Sequence, residues 1–93
     1  MFAEDLKNYA QGIVSGLVDN PDDVFVHVTE LSARFVVEIQ TNQNDIGQVI
    51  GRGGVVIKSI RSLVEAFGGC RQRIVTVDYL TERERPPRKR EGI

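Results

Sequence analysis

The stretch NDIGQVIGRGGVVIKSI (Asn44–Ile60) places three glycines in four residues, Gly51, Gly53 and Gly54, with Arg52 among them, inside an otherwise apolar run. Glycine at that density costs backbone entropy and weakens any helix. A tight turn, a phosphate ligand or a close approach by another backbone must compensate. Downstream, Ile57, Ile60, Val64 and Phe67 recur at intervals of three and four, with Lys58, Arg61, Ser62 and Glu65 elsewhere on the same helix. Upstream, NQND is a turn or helix cap, with Asn42 or Asn44 as the capping residue, followed by a short helix through about Ile50. The glycines therefore join two helices.

Moving outward, VFVHVTE and ARFVVEIQT are rich in β-branched and aromatic residues. Phe35, Val37 and Ile39 alternate with Arg34, Glu38 and Gln40, and Phe25, His27 and Thr29 alternate with Val24, Val26 and Val28. Only Leu31 and Ser32 separate the runs, so a hairpin with a very short loop is expected. Before it, Phe2, Leu6, Ala10, Ile13 and Leu17 mark one face of an amphipathic helix. Gly12 and Gly16 weaken that helix unless something packs close to them, with the chain's own sheet the first candidate and a second subunit the other. Pro21 in DNPDD forces Asn20 out of the helical region and ends the segment. At the other end, Gly68 and Gly69 are expected to stop the long helix, and RIVTVDYL reads as a third strand.

The order is helix, strand, strand, short helix, helix, strand. A helical crossover between the second and third strands makes them parallel. The class is α+β, with a three-stranded mixed sheet, the second strand central, and helices packed on one face. His27 is expected on the solvent side. The chain is one domain over residues 1–80, followed by a basic tail, 81–93, whose charge and prolines (TERERPPRKREGI) point to disorder.

Composition narrows function. With 93 residues, 41% hydrophobic and 27% charged, the chain resembles an ordinary soluble domain. No apolar run approaches a membrane span, so no membrane insertion is expected. The N-terminus carries acids where an export signal carries basic residues. With the single Cys70 this suggests a reducing cytoplasm, and no Cys/His cluster suggests a metal or a cofactor. The net charge of −1 hides an asymmetry: residues 1–47 carry Lys7 and Arg34 against eight acids, and residues 48–93 carry the other ten basic residues against five. A basic half that begins at the glycine loop suits an anionic partner, unless the tail is merely solvated.

Two phosphate-binding patterns fail at the loop. A Walker loop needs glycines where Arg52 and Ile57 stand, and a dinucleotide fingerprint starting at Gly51 needs one where Val56 stands. The pattern G-x-x-G between helices survives. Gly51 can end one helix, Gly54 can open the next, backbone N–H groups at a helix N-terminus bind phosphate, and Arg52 at the tip can pair with it. A tight turn with no ligand is the competing explanation.

IGQVIGRGGVVIKSIRSLV (Ile46–Val64) resembles the core of a KH domain, a single-stranded RNA-binding module, and the order αββααβ resembles its type II, bacterial arrangement. With LVDNPDDVFVHV (Leu17–Val28), the chain is similar to the small RNA-binding proteins of the KhpA family over about Leu6–Leu80. The resemblance implies that Gly51, Arg52, Gly53 and Gly54 clamp the RNA backbone, over about four nucleotides. It further implies that Ile46, Ile50 and Ile57 floor a groove and that Lys58 and Arg61 add phosphate contacts. The family implies an RNA chaperone that acts with a KhpB-like KH protein (Jag/EloR), can form a homodimer, and is linked to cell elongation and peptidoglycan homeostasis. The tail looks longer than the family needs.

No nucleophile–base pair or acid pair falls at catalytic spacing, so no catalytic residue is assigned and a non-catalytic protein is expected. Two alternatives stay open: a ribosome-associated KH module, and a protein-interaction module that mainly dimerises. The four Phe, two Tyr and absent Trp offer few stacking platforms, so recognition would rest on the loop, apolar contact and base-edge hydrogen bonds.

Overall fold

The computed structural model describes residues 1–81. The expectation of a disordered basic tail falls, beyond Thr81, on residues outside this range. Helix α1 spans Phe2–Ser15, with Glu4 and Asp5 in its first turn, where the helix dipole favours acids. Strands β1 (Phe25–Glu30) and β2 (Phe35–Gln40) follow, then the short helix α2 (Ile46–Ile50), helix α3 (Val55–Gly69) and strand β3 (Val75–Tyr79). The sheet order is β1-β2-β3, antiparallel between the first two strands and parallel between the last two. The mixed sheet with β2 central is as the sequence predicts.

Register explains the core. Val28, Val37 and Val77 form one row across the sheet, and Val26, Ile39 and Tyr79 the next. Except for the half-buried Val28, these side chains are buried with Phe35 and Val75. Leu6, Ala10 and Val14 of α1 and Ile57, Ile60 and Val64 of α3 join the same cluster. The other sheet face is open: Phe25 is half exposed and His27 is exposed. At the foot of the helical layer, Phe2 meets Phe35 edge-on at 4.9 Å, and Tyr9 stacks on Phe67 at 4.5 Å.

Five local expectations are corrected. The helix α1 stops at Ser15, before Leu17, so Leu17 is 42% exposed and Val14 takes the buried position. Asn20 is indeed non-helical (φ −121°, ψ 70°), but Pro21 opens a separate short turn and does not end α1. The hairpin turn is Ser32-Ala33, one residue later than expected, closed by the Leu31 N–H donating to the Arg34 carbonyl at 2.8 Å. Gly68 and Gly69 lie inside α3. Gly68 is there for close approach: a Cβ on it would meet Val75 Cγ2 at 2.4 Å and the Arg73 carbonyl oxygen at 3.0 Å. The positive φ that breaks the helix belongs to Gln72 (61°). Finally, Gly12 has no atom within 4 Å of where its Cβ would stand, and Gly16 meets only carbonyls of its own helix. The chain's sheet does not pack against this glycine pair.

Candidate nucleic-acid interface

The short helix α2 is held from below by a polar clamp. The Asn42 side-chain oxygen accepts from the Asn44 N–H at 2.8 Å, and its amide donates to Asp23 at 2.9 Å. Asp45 is buried, and its carboxylate accepts from the Asn20 backbone N–H at 3.0 Å and from the Asn20 side-chain amide at 3.2 Å. The α1–β1 connection is thereby tied to the base of α2. A buried carboxylate tolerates its site only when hydrogen-bonded in this way.

At the far end of α2, Gly51 closes the helix by donating to the Gly47 carbonyl at 2.9 Å. Its backbone sits at φ 76°, ψ 172°, a region open in practice only to glycine. One tight turn follows, Arg52–Gly54, with Gly53 (φ 63°, ψ 14°) and Gly54 (φ 81°, ψ 14°) both left-handed. The Gly54 N–H returns to the Gly51 carbonyl at 3.1 Å. Three positive-φ glycines within four residues let two helices meet head to tail, with Arg52 and Gly53 exposed at the tip. The N–H groups that start a helical turn have no helical acceptor behind them, so the tip presents backbone donors beside a cationic side chain.

The remaining candidates divide by position. Ile46 and Ile50 are half-buried on α2, packed against the core with one side open. Ile57 is only 8% exposed and belongs to the core, so it adds little surface to any floor. Lys58 and Arg61 are exposed on α3, three residues apart and so neighbours on its surface. Arg61 is not idle: its Nε–H donates to the Val77 carbonyl at 3.3 Å, bridging α3 to the outer edge of β3. A groove of about 320 Å³ opens there, lined by Arg61, Asp78, Tyr79 and Leu80. The spacing argument missed the last three. Their signal was the parallel crossover, which sets the β3 edge beside α3. Among the described residues, no group of three or more His, Cys, Asp or Glu could hold a metal, and no helix is long and apolar enough to cross a membrane.

This arrangement can be compared with known proteins. A family model described as KhpA/KhpB, KH domain, matches residues 7–78. The chain belongs to the KhpA/KhpB KH-domain family. It is 40% identical over 73 residues to an RNA-binding protein KhpA of Streptomyces coelicolor, covering 78% of this chain and 92% of that one. It is 42% identical over 66 residues to that of Mycobacterium bovis (71% and 82% of the two chains), and 36% identical over 69 residues to that of Thermotoga maritima (74% and 92%). The KH family match contains the whole of the Gly51–Gly54 turn and all of Ile46, Ile50, Ile57, Lys58 and Arg61.

Proposed function

We infer that this chain is a non-catalytic protein that binds single-stranded RNA at the Gly51–Gly54 turn. One observation carries the reading: an exposed turn with three positive-φ glycines, tipped by Arg52, in a chain of the KhpA/KhpB KH family. The turn lets a phosphodiester backbone approach the main chain at Gly53, which carries no Cβ, and Arg52 supplies the charge. Half-open Ile46 and Ile50 offer apolar contact to the bases, Ile57 supports them from the core, and Lys58 and the free guanidinium nitrogens of Arg61 reach further phosphates. Asp78 beside Arg61 gives the groove an acceptor for exocyclic base amines. Such a site holds about four nucleotides, so binding is weak and tolerant of sequence. A second RNA-binding protein raises its avidity, and a KhpB-like partner in the cytoplasm, with RNA chaperone activity, fits that need. The test is fluorescence anisotropy with one RNA sequence offered single-stranded and as a duplex. Preference for the single strand is expected, and equal binding to both would overturn the reading.

Self-association is a second reading with its own support. On the other side of α3, Ile13, Leu17, Val55, Val56 and Leu63 line an apolar groove, and Leu17, Val55 and Leu63 stay exposed. Sedimentation at tens of micromolar, a range on the order of weak complexes, decides it: a mass of one chain removes this reading.

A further inference from the structure

The end of α3 away from the glycine turn carries a second concentration of charge. Arg71 holds its guanidinium carbon 4.2 Å from the centre of the Phe67 ring, and Arg73 lies 5.6 Å from that of Phe2. Those two rings are themselves stacked at 6.1 Å. Arg73 and Arg34 line one cavity of about 180 Å³ beneath the hairpin turn, where Glu30 is the one carboxylate. Arg34, Arg71 and Arg73 are all exposed, and none has an ion-pair partner among the described residues. Cations gathered on one face without an ion-pair partner among the described residues repel one another, and an anion relieves that cost.

The loop that carries two of them is not slack. The N–H groups of Cys70, Arg71, Gln72 and Arg73 all donate to carbonyls of Ala66, Gly68 and Gly69 at 2.9–3.0 Å. Stacking on a ring fixes a guanidinium plane while leaving its N–H edge free, so less order is lost when a phosphate arrives. Exposed Ile74 (65%) and Leu31 (43%) border the cations and offer flat apolar contact. Phosphates for the guanidiniums and faces for the apolar residues are the two halves of a nucleotide. An acidic peptide would use only the first.

We propose that Arg34, Arg71 and Arg73 form a second contact for the RNA backbone, engaged only by strands that extend well past the glycine turn. The proposal rests on the RNA reading above. The 15 residues of α3 separate the two places by about 22 Å, beyond the reach of the roughly four nucleotides that a G-x-x-G turn clamps.

The experiment compares the parent with Arg71→Gln/Arg73→Gln on single-stranded RNAs of about four and about sixteen nucleotides, the span of known single-strand site sizes. Thermal melting confirms the fold. On the long RNA, the slope of log affinity against log salt should fall by about 1.4, two contacts at about 0.7 each. Affinity for the short RNA should be unchanged, and Arg71→Lys/Arg73→Lys should restore the slope. An unchanged slope on the long RNA, in a parent that binds it, overturns this second contact alone. An equal loss on both lengths overturns it as well, since the arginines would then act on the glycine turn. A parent that binds neither RNA overturns the RNA reading and the second contact together. Binding of polyglutamate in place of the long RNA makes the patch a protein-docking surface and overturns it too.

Discussion

A Cβ placed on Gly51 would lie 2.4 Å from Val56 Cγ2 and 2.9 Å from the Val56 amide nitrogen. The first glycine of the turn is thus pressed against the first turn of the helix that follows it. Gly53, two residues on, has nothing within 4 Å. The two glycines serve different ends, and alanine separates them. Gly51→Ala adds overpacking to a forbidden backbone region and should cost about 2–4 kcal/mol. Gly53→Ala meets only left-handed strain, about 1–2 kcal/mol. Urea unfolding of both variants measures the gap, and equal losses would refute the distinction.

Arg52→Asp combined with Gly53→Asp tests the tip. Both residues are exposed, no core packing is lost, and Asp tolerates left-handed geometry better than most residues. Two carboxylates then face the phosphate position in place of one cation. The variant should stay folded, at a cost of about 1 kcal/mol, and lose most of its single-stranded RNA binding. A folded variant with parental affinity would remove the turn as the RNA clamp.

Gly68 and Gly12 should respond with opposite signs. Alanine at Gly68 drives a methyl into Val75 and the Arg73 carbonyl and should destabilise by about 1–3 kcal/mol. Alanine at Gly12, exposed in the interior of α1 with open space around it, should stabilise by about 0.5–1 kcal/mol. Thermal melts at low and high protein concentration distinguish a further case. If Gly12→Ala stabilises only at low concentration, a second chain packs on that face.

Asp45→Ala should cost about 2 kcal/mol, because it leaves the half-buried Asn20 backbone N–H without its acceptor. Asp45→Asn keeps an acceptor oxygen and should cost less. Chemical denaturation of the pair checks the order.

The elements were legible because their signals are local. Phe35, Val37 and Ile39 alternate cleanly, and all three are buried. The glycine turn announced itself as three glycines within four residues. What escaped depends on three-dimensional neighbours. Gly68 reads as a helix stop in sequence, yet it marks contact with Val75, seven residues on and in another element. Gly12 and Gly16 suggest a close partner that the described chain does not supply. The β3 residues beside Arg61 carry no motif, and only the crossover brings them to α3. Arg71 and Arg73 looked like part of a diffuse basic half until the rings of Phe67 and Phe2 gave them fixed places.

The bond from Arg61 to the Val77 carbonyl has a consequence for solubility. β3 is an outer strand, and an outer strand exposes a row of backbone groups that a strand of another molecule can pair with. Arg61 occupies one of those carbonyls and sets a positive charge over the row, so an incoming strand must displace the bond and desolvate a cation. Replacing Arg61 removes this guard as well as the proposed phosphate contact. Light scattering therefore belongs beside any RNA titration of an Arg61 variant, since aggregation through the bared margin of the sheet would imitate a loss of affinity.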